Sequence, residues 1–179
     1  SRAGIDVWTN FMFGLPGETE EDAKANIAFV LRNKKYINTV APTFALCNLS
    51  EFSGAHLDPE KYGIKKDVHI MFWESEDGEN NYSVRLKRFE RFCKAINSAG
   101  IRSIYPHDKL ADRDKKLGYY YHHKKDYKTS IKFLKRAVKV EPWDKHLESA
   151  LKQLEDAVAA KSSLLVKDLG VSGDLRAKR

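Results

Sequence analysis

Residues 5–13, Ile-Asp-Val-Trp-Thr-Asn-Phe-Met-Phe, concentrate β-branched and aromatic side chains and predict a strand. The period then changes. Ala23, Ile27, Val30 and Leu31 recur at helical spacing, which predicts a helix ending near residues 33–35. Thr19 stands at its N-cap, with Asp22 three residues on as the short-armed half of a capping box. Residues 39–47, Thr-Val-Ala-Pro-Thr-Phe-Ala-Leu-Cys, predict a second strand, in which Pro42 removes one ladder donor.

Strand, helix, strand is the βαβ unit, so the fold class expected here is α/β with parallel strands and a right-handed crossover. Two strands alone make no stable sheet. The rest of this one is expected upstream of Ser1, and the opening Ser-Arg-Ala-Gly reads as the interior of a longer chain. Residues 48–82 read as irregular, with a short apolar run at 68–73. Glu74–Asn81 forms a turn-rich acidic loop whose carboxylates are misplaced for calcium. A helix is predicted over 83–99, capped by Ser83 and stopped by Gly100, with Leu86, Phe89, Phe92, Cys93 and Ile96 as its core stripe. Beyond Asp108 the pattern is helical throughout, with helices expected over 109–123, 127–140 and 144–160. The expected organisation is therefore 1–107, 108–161 and a loosely ordered tail over 162–179.

Composition narrows the class. With 42% hydrophobic and 32% charged residues among 179, the chain reads as globular. No apolar run approaches the ~20 residues of a membrane span, and no basic-then-apolar leader is present. A cytoplasmic location is expected, with no membrane partner. Cys47 and Cys93, far apart and inside apolar stretches, read as buried thiols. The net charge is +7, and residues 115–139 carry nine Lys or Arg against one acid, Asp126. That suggests nucleic acid as a class, but no base-reading motif accompanies it, so a solvated helical face is expected instead.

The stretch Gly14-Leu15-Pro16-Gly17 brings bare backbone to the end of the first strand. Glycine turns that open a helix often hold phosphate. Here Glu18, Glu20, Glu21 and Asp22 crowd the same helix end and would repel an anion. Two readings stay open: a neutral or cationic ligand beside the strand end, or a tight turn with a well-capped helix. His56, His69, His107, His122, His123 and His146 show no metal spacing. No nucleophile elbow or P-loop occurs.

The segment Asn-Phe-Met-Phe-Gly-Leu-Pro-Gly-Glu-Thr-Glu-Glu-Asp, residues 10–22, resembles the stretch that closes the fifth barrel strand of radical S-adenosylmethionine (SAM) enzymes. Residues 54–64 (GAHLDPEKYGI) and 72–89 (FWESEDGENNYSVRLKRF) resemble the segments downstream of that strand in the cobalamin-binding subgroup, in the same order. The resemblance covers about residues 3–105 and implies the C-terminal part of a partial (β/α) barrel. It implies that Asn10, Met12, Gly14 and Pro16 line a wall against the adenosyl end of SAM, with Thr43 or Phe44 on the next strand. SAM carries a positive sulfonium, to which an acidic neighbourhood is not hostile. The implied cofactors of the full-length enzyme are SAM and a [4Fe–4S] cluster, with cobalamin as a further one. The family holds its cluster with Cys-x3-Cys-x2-Cys, and two isolated cysteines cannot supply it. The implied partner is the N-terminal part of the barrel, without which this segment is not catalytic.

Farther on, Leu117, Gly118, Tyr121, Tyr127, Ser130, Leu134, Ala137 and Pro142 fall on the spacing of a tetratricopeptide (TPR) repeat, which they resemble. Small residues at Gly118, Ser130 and Ala137 would let two antiparallel helices approach closely. One period on, only Leu151 continues the pattern, so one repeat and a cap helix are expected. The resemblance implies docking on the barrel part or pairing with another protein. The alternative is a non-catalytic interaction module whose basic helices dock on an acidic protein.

Overall fold

The computed structural model describes residues 4–43, 46–66, 69–104 and 110–168. Phe44, Val68, His107, Lys109 and residues 169–179 lie outside the described residues. The architecture is mixed and mostly helical, with a small parallel sheet. The chain divides into two compact units, Ser1–Asp108 and Lys109–Arg179. Among the described residues, no helix is long and apolar enough to cross a membrane.

In the first unit, β1 (Trp8–Met12), α1 (Glu20–Asn33) and β2 (Thr39–Thr43) form the expected βαβ unit, with β1 and β2 parallel and Trp8 in register with Thr39. The capping box at α1 is complete: the Thr19 hydroxyl accepts from the Asp22 N–H, and the Asp22 carboxylate accepts from the Thr19 N–H. Ala23 and Val30 carry the buried face of α1, whereas Leu31 is exposed. Strand β2 is shorter than predicted. Leu46 and Cys47, assigned to it by pattern, have left-handed backbones, with φ of 51° and 53°. Such a pair is strained and must be held by its surroundings; here the Trp73 indole donates to the Cys47 carbonyl at 2.8 Å.

The sheet gains a strand that the pattern did not predict. Helix α3 (Tyr82–Ser98) returns the chain to β3 (Arg102–Ser103), which pairs parallel to β2. The order is β1-β2-β3, so this third strand comes from downstream, against the expectation that the rest of the sheet lies only upstream of Ser1. Strand β1 remains at the edge, hydrogen-bonded among the described residues to β2 alone. The predicted stripe of α3 is buried throughout. Its cap is Asn81, whose side chain accepts from the Val84 N–H at 3.1 Å, not Ser83. Gly100 ends the turn at φ +70°, as a stop residue should. The segment read as irregular holds a short helix α2 (Gly54–Leu57), a 3-10 turn (Glu60–Tyr62) and a bridge between Ile64 and Ser75.

Both long helices cover one face of β1. Phe11 meets Phe29 of α1 and Phe92 of α3, at ring-centre distances of 6.4 and 4.8 Å, while Phe13 meets Phe89 and Phe92. Side chains alternate along a strand, so Trp8, Asn10 and Met12 lie on the opposite face, and all three are exposed.

The second unit consists of α4 (Leu110–His123), α5 (Tyr127–Val140) and α6 (Lys145–Asp168). Asp114 pairs with Arg136, Gly118 with Ser130, and His122 with Tyr127. One number falls as the other rises, so α4 and α5 are antiparallel. The Ser130 hydroxyl donates to the Gly118 carbonyl at 2.8 Å, and Leu134 lies where a Gly118 Cβ would stand. Leu134, Ala137, Leu147, Leu151 and Leu154 form the core of this unit. Helix α6 passes the predicted stop at 160 and runs to Asp168, so residues 162–168 are helical and not a loose tail.

Candidate functional site

Two adjoining features of the first unit bear on function: the turn at Gly14–Glu18 and the uncovered face of β1. The turn begins at Gly14, with φ +83°, and closes with the Glu18 N–H donating to the Leu15 carbonyl at 2.9 Å. The Glu18 carboxylate folds back to accept from the Gly14 N–H. Two arginines of α3 meet this turn from beneath. Arg88 donates from Nη1 to the Glu18 carbonyl at 3.0 Å and lies 3.7 Å from the Glu18 carboxylate. Arg85 is fully buried and fills the space that a Gly14 Cβ would need. Its guanidinium sits 4.1 Å from the Trp73 ring centre and donates to the carbonyls of Trp73 and Met71 at 3.0 and 2.9 Å. Asn80 completes the frame by donating to the Leu15 carbonyl at 2.9 Å.

These contacts set the electrostatics of the turn. Burial pushes the Glu18 carboxyl up from its usual range, against the Gly14 N–H and the Arg88 charge, which pull it down. Glu20 is held below its usual range by its bond to Arg91, with Arg88 adding to the effect. Asp22 is held down by the Thr19 N–H and hydroxyl. Glu18, Glu20 and Asp22 are thus engaged by neighbouring groups, while Glu21 is exposed beside Lys24 at 3.8 Å. At the turn itself the Glu18 and Glu20 carboxylates meet Arg88 and Arg91.

Of the residues singled out from sequence, Asn10 and Met12 lie together on the exposed face of β1, with Met12 in register with Thr43 on β2. Trp8 joins them, 55% exposed, and its indole donates to Asp6. Indole and thioether supply a flat apolar surface, and the Asn10 amide supplies one donor edge and one acceptor. Gly14 is buried against Arg85, and Pro16 is half-buried in the turn. Phe44 lies outside the described residues. Sequence reading missed Arg85, Arg88, Glu18 and Asn80 as partners. A signal existed: Arg85 and Arg88 fall on the same helical face as Phe89 and Phe92, and buried cations require acids nearby.

The cysteines do not fit an iron–sulfur cluster. Both are buried; burial raises the Cys47 thiol and pushes Cys93 up to about 12, where a thiolate ligand is disfavoured. Among the described residues, no three His, Cys, Asp or Glu side chains gather in a way that could hold a metal ion.

The second unit carries an open groove of about 270 Å³ between α4 and α6, lined by Tyr119, His122, Ala150, Gln153 and Ala157 among others. No protein-family model, curated protein or solved structure matches the chain.

Proposed function

We propose that residues 1–107 are the C-terminal segment of a radical SAM half-barrel of the cobalamin-binding subgroup, and that residues 108–161 are a TPR-like unit that docks a partner. The observation that carries the first part is the one-sided sheet. Helices α1 and α3 cover one face of β1, while Trp8, Asn10 and Met12 leave the other open and the strand edge unpaired. In a (β/α) barrel the helices lie outside and the strands turn their other face inward. Three sequence blocks in family order support the same reading.

In this proposal Asn10 and Met12, with Thr43 across from them, hold the adenosyl end of SAM, and Gly14 and Pro16 fix where the wall ends. Thioether and amide suit an adenine ring, which is flat and carries both donors and acceptors. SAM and its cluster supply radical chemistry when bound. The cluster finds no ligands here, so it and any cobalamin belong to an N-terminal part, and this segment alone is inactive. A cytoplasmic location accompanies the proposal.

The test is the reading frame upstream, followed by SAM cleavage assayed anaerobically on the longest encoded protein. A Cys-x3-Cys-x2-Cys upstream and 5′-deoxyadenosine formation that falls on Asn10→Ala or Met12→Ala are expected. A reading frame without that triplet overturns it. The second reading, a non-catalytic interaction module, is favoured by one observation, the basic face of α5.

A further inference from the structure

Lys128, Lys132, Lys135 and Lys139 recur at i, i+4, i+7 and i+11 along α5. At 100° per residue they fall within an arc of roughly 60°, and at 1.5 Å per residue they run about 16 Å along the helix. All four are exposed. The opposite side of α5 is fixed in the core by Ser130, Leu134 and Ala137, so the stripe cannot roll away from solvent. Lys135 is bound to Glu155 of α6 at 2.7 Å, and the flanking Arg136 to the buried Asp114 at 2.9 Å. Among the described residues, no ion pair forms at Lys128, Lys132 or Lys139; Asp126, which feels the Lys128 charge, is engaged in capping α5.

A solvated face ordinarily mixes signs, because like charges one turn apart destabilise a helix. Here three turns carry one sign, and the helix bears that cost. The stripe is all lysine, its flanking Arg136 is taken up by Asp114, and no aromatic interleaves it, whereas nucleic-acid platforms use arginine forks and stacked aromatics. The one-turn spacing instead matches a second α-helix presenting a carboxylate per turn. The Lys135–Glu155 pair already shows this contact in miniature: a helical carboxylate reaching this same stripe from a packed neighbour. Just beyond the stripe in sequence, Val140 and Trp143 are exposed, Trp143 by 73%, and offer apolar surface to the same partner.

We infer that the α5 stripe is a docking surface for an acidic helix, one bearing carboxylates at each of three successive turns and an apolar residue beside Trp143. This deepens the docking role proposed for the second unit and is independent of the barrel assignment. Its failure leaves the upstream cysteine test untouched, and the reverse also holds.

The experiment uses the full chain and a labelled, alanine-based helical peptide of roughly 20 residues with glutamates along one face at the stripe's spacing. An isomer with the same glutamates spread around the helix, a single-stranded and a duplex oligonucleotide, and phosphatidylserine vesicles are the comparison probes. At roughly 50 mM salt the patterned peptide should bind about tenfold more tightly than its isomer and lose most of that by roughly 300 mM. The triple variant Lys128→Glu, Lys132→Glu, Lys139→Glu should abolish the preference. The single variant Lys132→Glu should reduce it, with the helical circular dichroism unchanged. Equal binding of the two peptides overturns the inference. So does an oligonucleotide or vesicle that binds more tightly than the patterned peptide, or a preference that survives the substitutions.

Discussion

The side chain of Arg85 occupies the volume that a Cβ on Gly14 would need, so the glycine is required by a neighbour 71 residues later and not only by its own turn. Gly17 makes the informative control: its φ of +80° is as unusual as the +83° of Gly14, but open space surrounds it. Gly17→Ala should cost about 1 kcal/mol, the left-handed penalty alone. Gly14→Ala adds displacement of a buried guanidinium and should cost about 3 kcal/mol. Urea midpoints at constant m-value would separate them, and equal costs would refute the close approach.

Breaking one half of the Arg88–Glu18 contact should be worse than breaking both. Arg88→Met strands the buried Glu18 carboxylate and should cost about 3 kcal/mol, and adding Glu18→Gln should recover part of it in a double-mutant cycle. The pH dependence has a definite sign. Glu18 has its folded pKa raised by burial, so it favours the folded state below its unfolded pKa and loses that contribution as pH rises through the folded value. The stability of the parent relative to Glu18→Gln should therefore fall as pH rises from below the ordinary carboxylate range to above it. A difference that rose with pH would mean that Arg88, not burial, governs this carboxyl.

At the second unit, Gly118→Ala sets two effects against each other. Alanine is better than glycine in a helix by about 1 kcal/mol, but its Cβ would overlap Leu134, and overpacking costs about 1–3 kcal/mol. A net loss of about 1 kcal/mol is expected. Leu134→Ala alone should cost about 3 kcal/mol. The double variant should lose less than the two together, since the second change vacates the space that the first needs. Additive losses would place the two helices farther apart than described.

Both thiols should resist modification at pH 8 in the folded chain and react on unfolding. Cys47 and Cys93 are buried, with pKa values raised, that of Cys93 to about 12. Two equivalents of Ellman's reagent consumed only in denaturant is the expected titration. Rapid native labelling at either site would show that its burial is lost in solution.

Local chemistry made much of this fold readable and little of the site. Thr19 with Asp22, the stripe from Leu86 to Ile96 and the bounds of α5 all declare themselves within one or two turns of chain. Strand β3 does not, because two residues cannot show alternation. Asn80, Asn81 and Ser83 each qualify as a cap by type, and only the backbone chooses Asn81. Leu46 and Cys47 carry β-favouring apolar neighbours, yet a distant indole fixes them left-handed. Arg85 and Arg88 lie beside the core stripe, and a charge on a helix is ordinarily solvated. Arg85 is instead buried against the carbonyls of Met71 and Trp73, and Arg88 against the Glu18 turn 70 residues away, pairings that periodicity does not carry.

Strand β1, paired among the described residues with β2 alone, has no lysine or proline, the usual guards against unwanted pairing. Isolated copies therefore carry a ready template for one another, with Trp8 and Met12 as adhesive beside it. Light scattering should rise with concentration, and Asn10→Lys, on the exposed face of the strand, should suppress it. For anyone handling this polypeptide by itself, that one seam is where self-adhesion is to be expected and designed against.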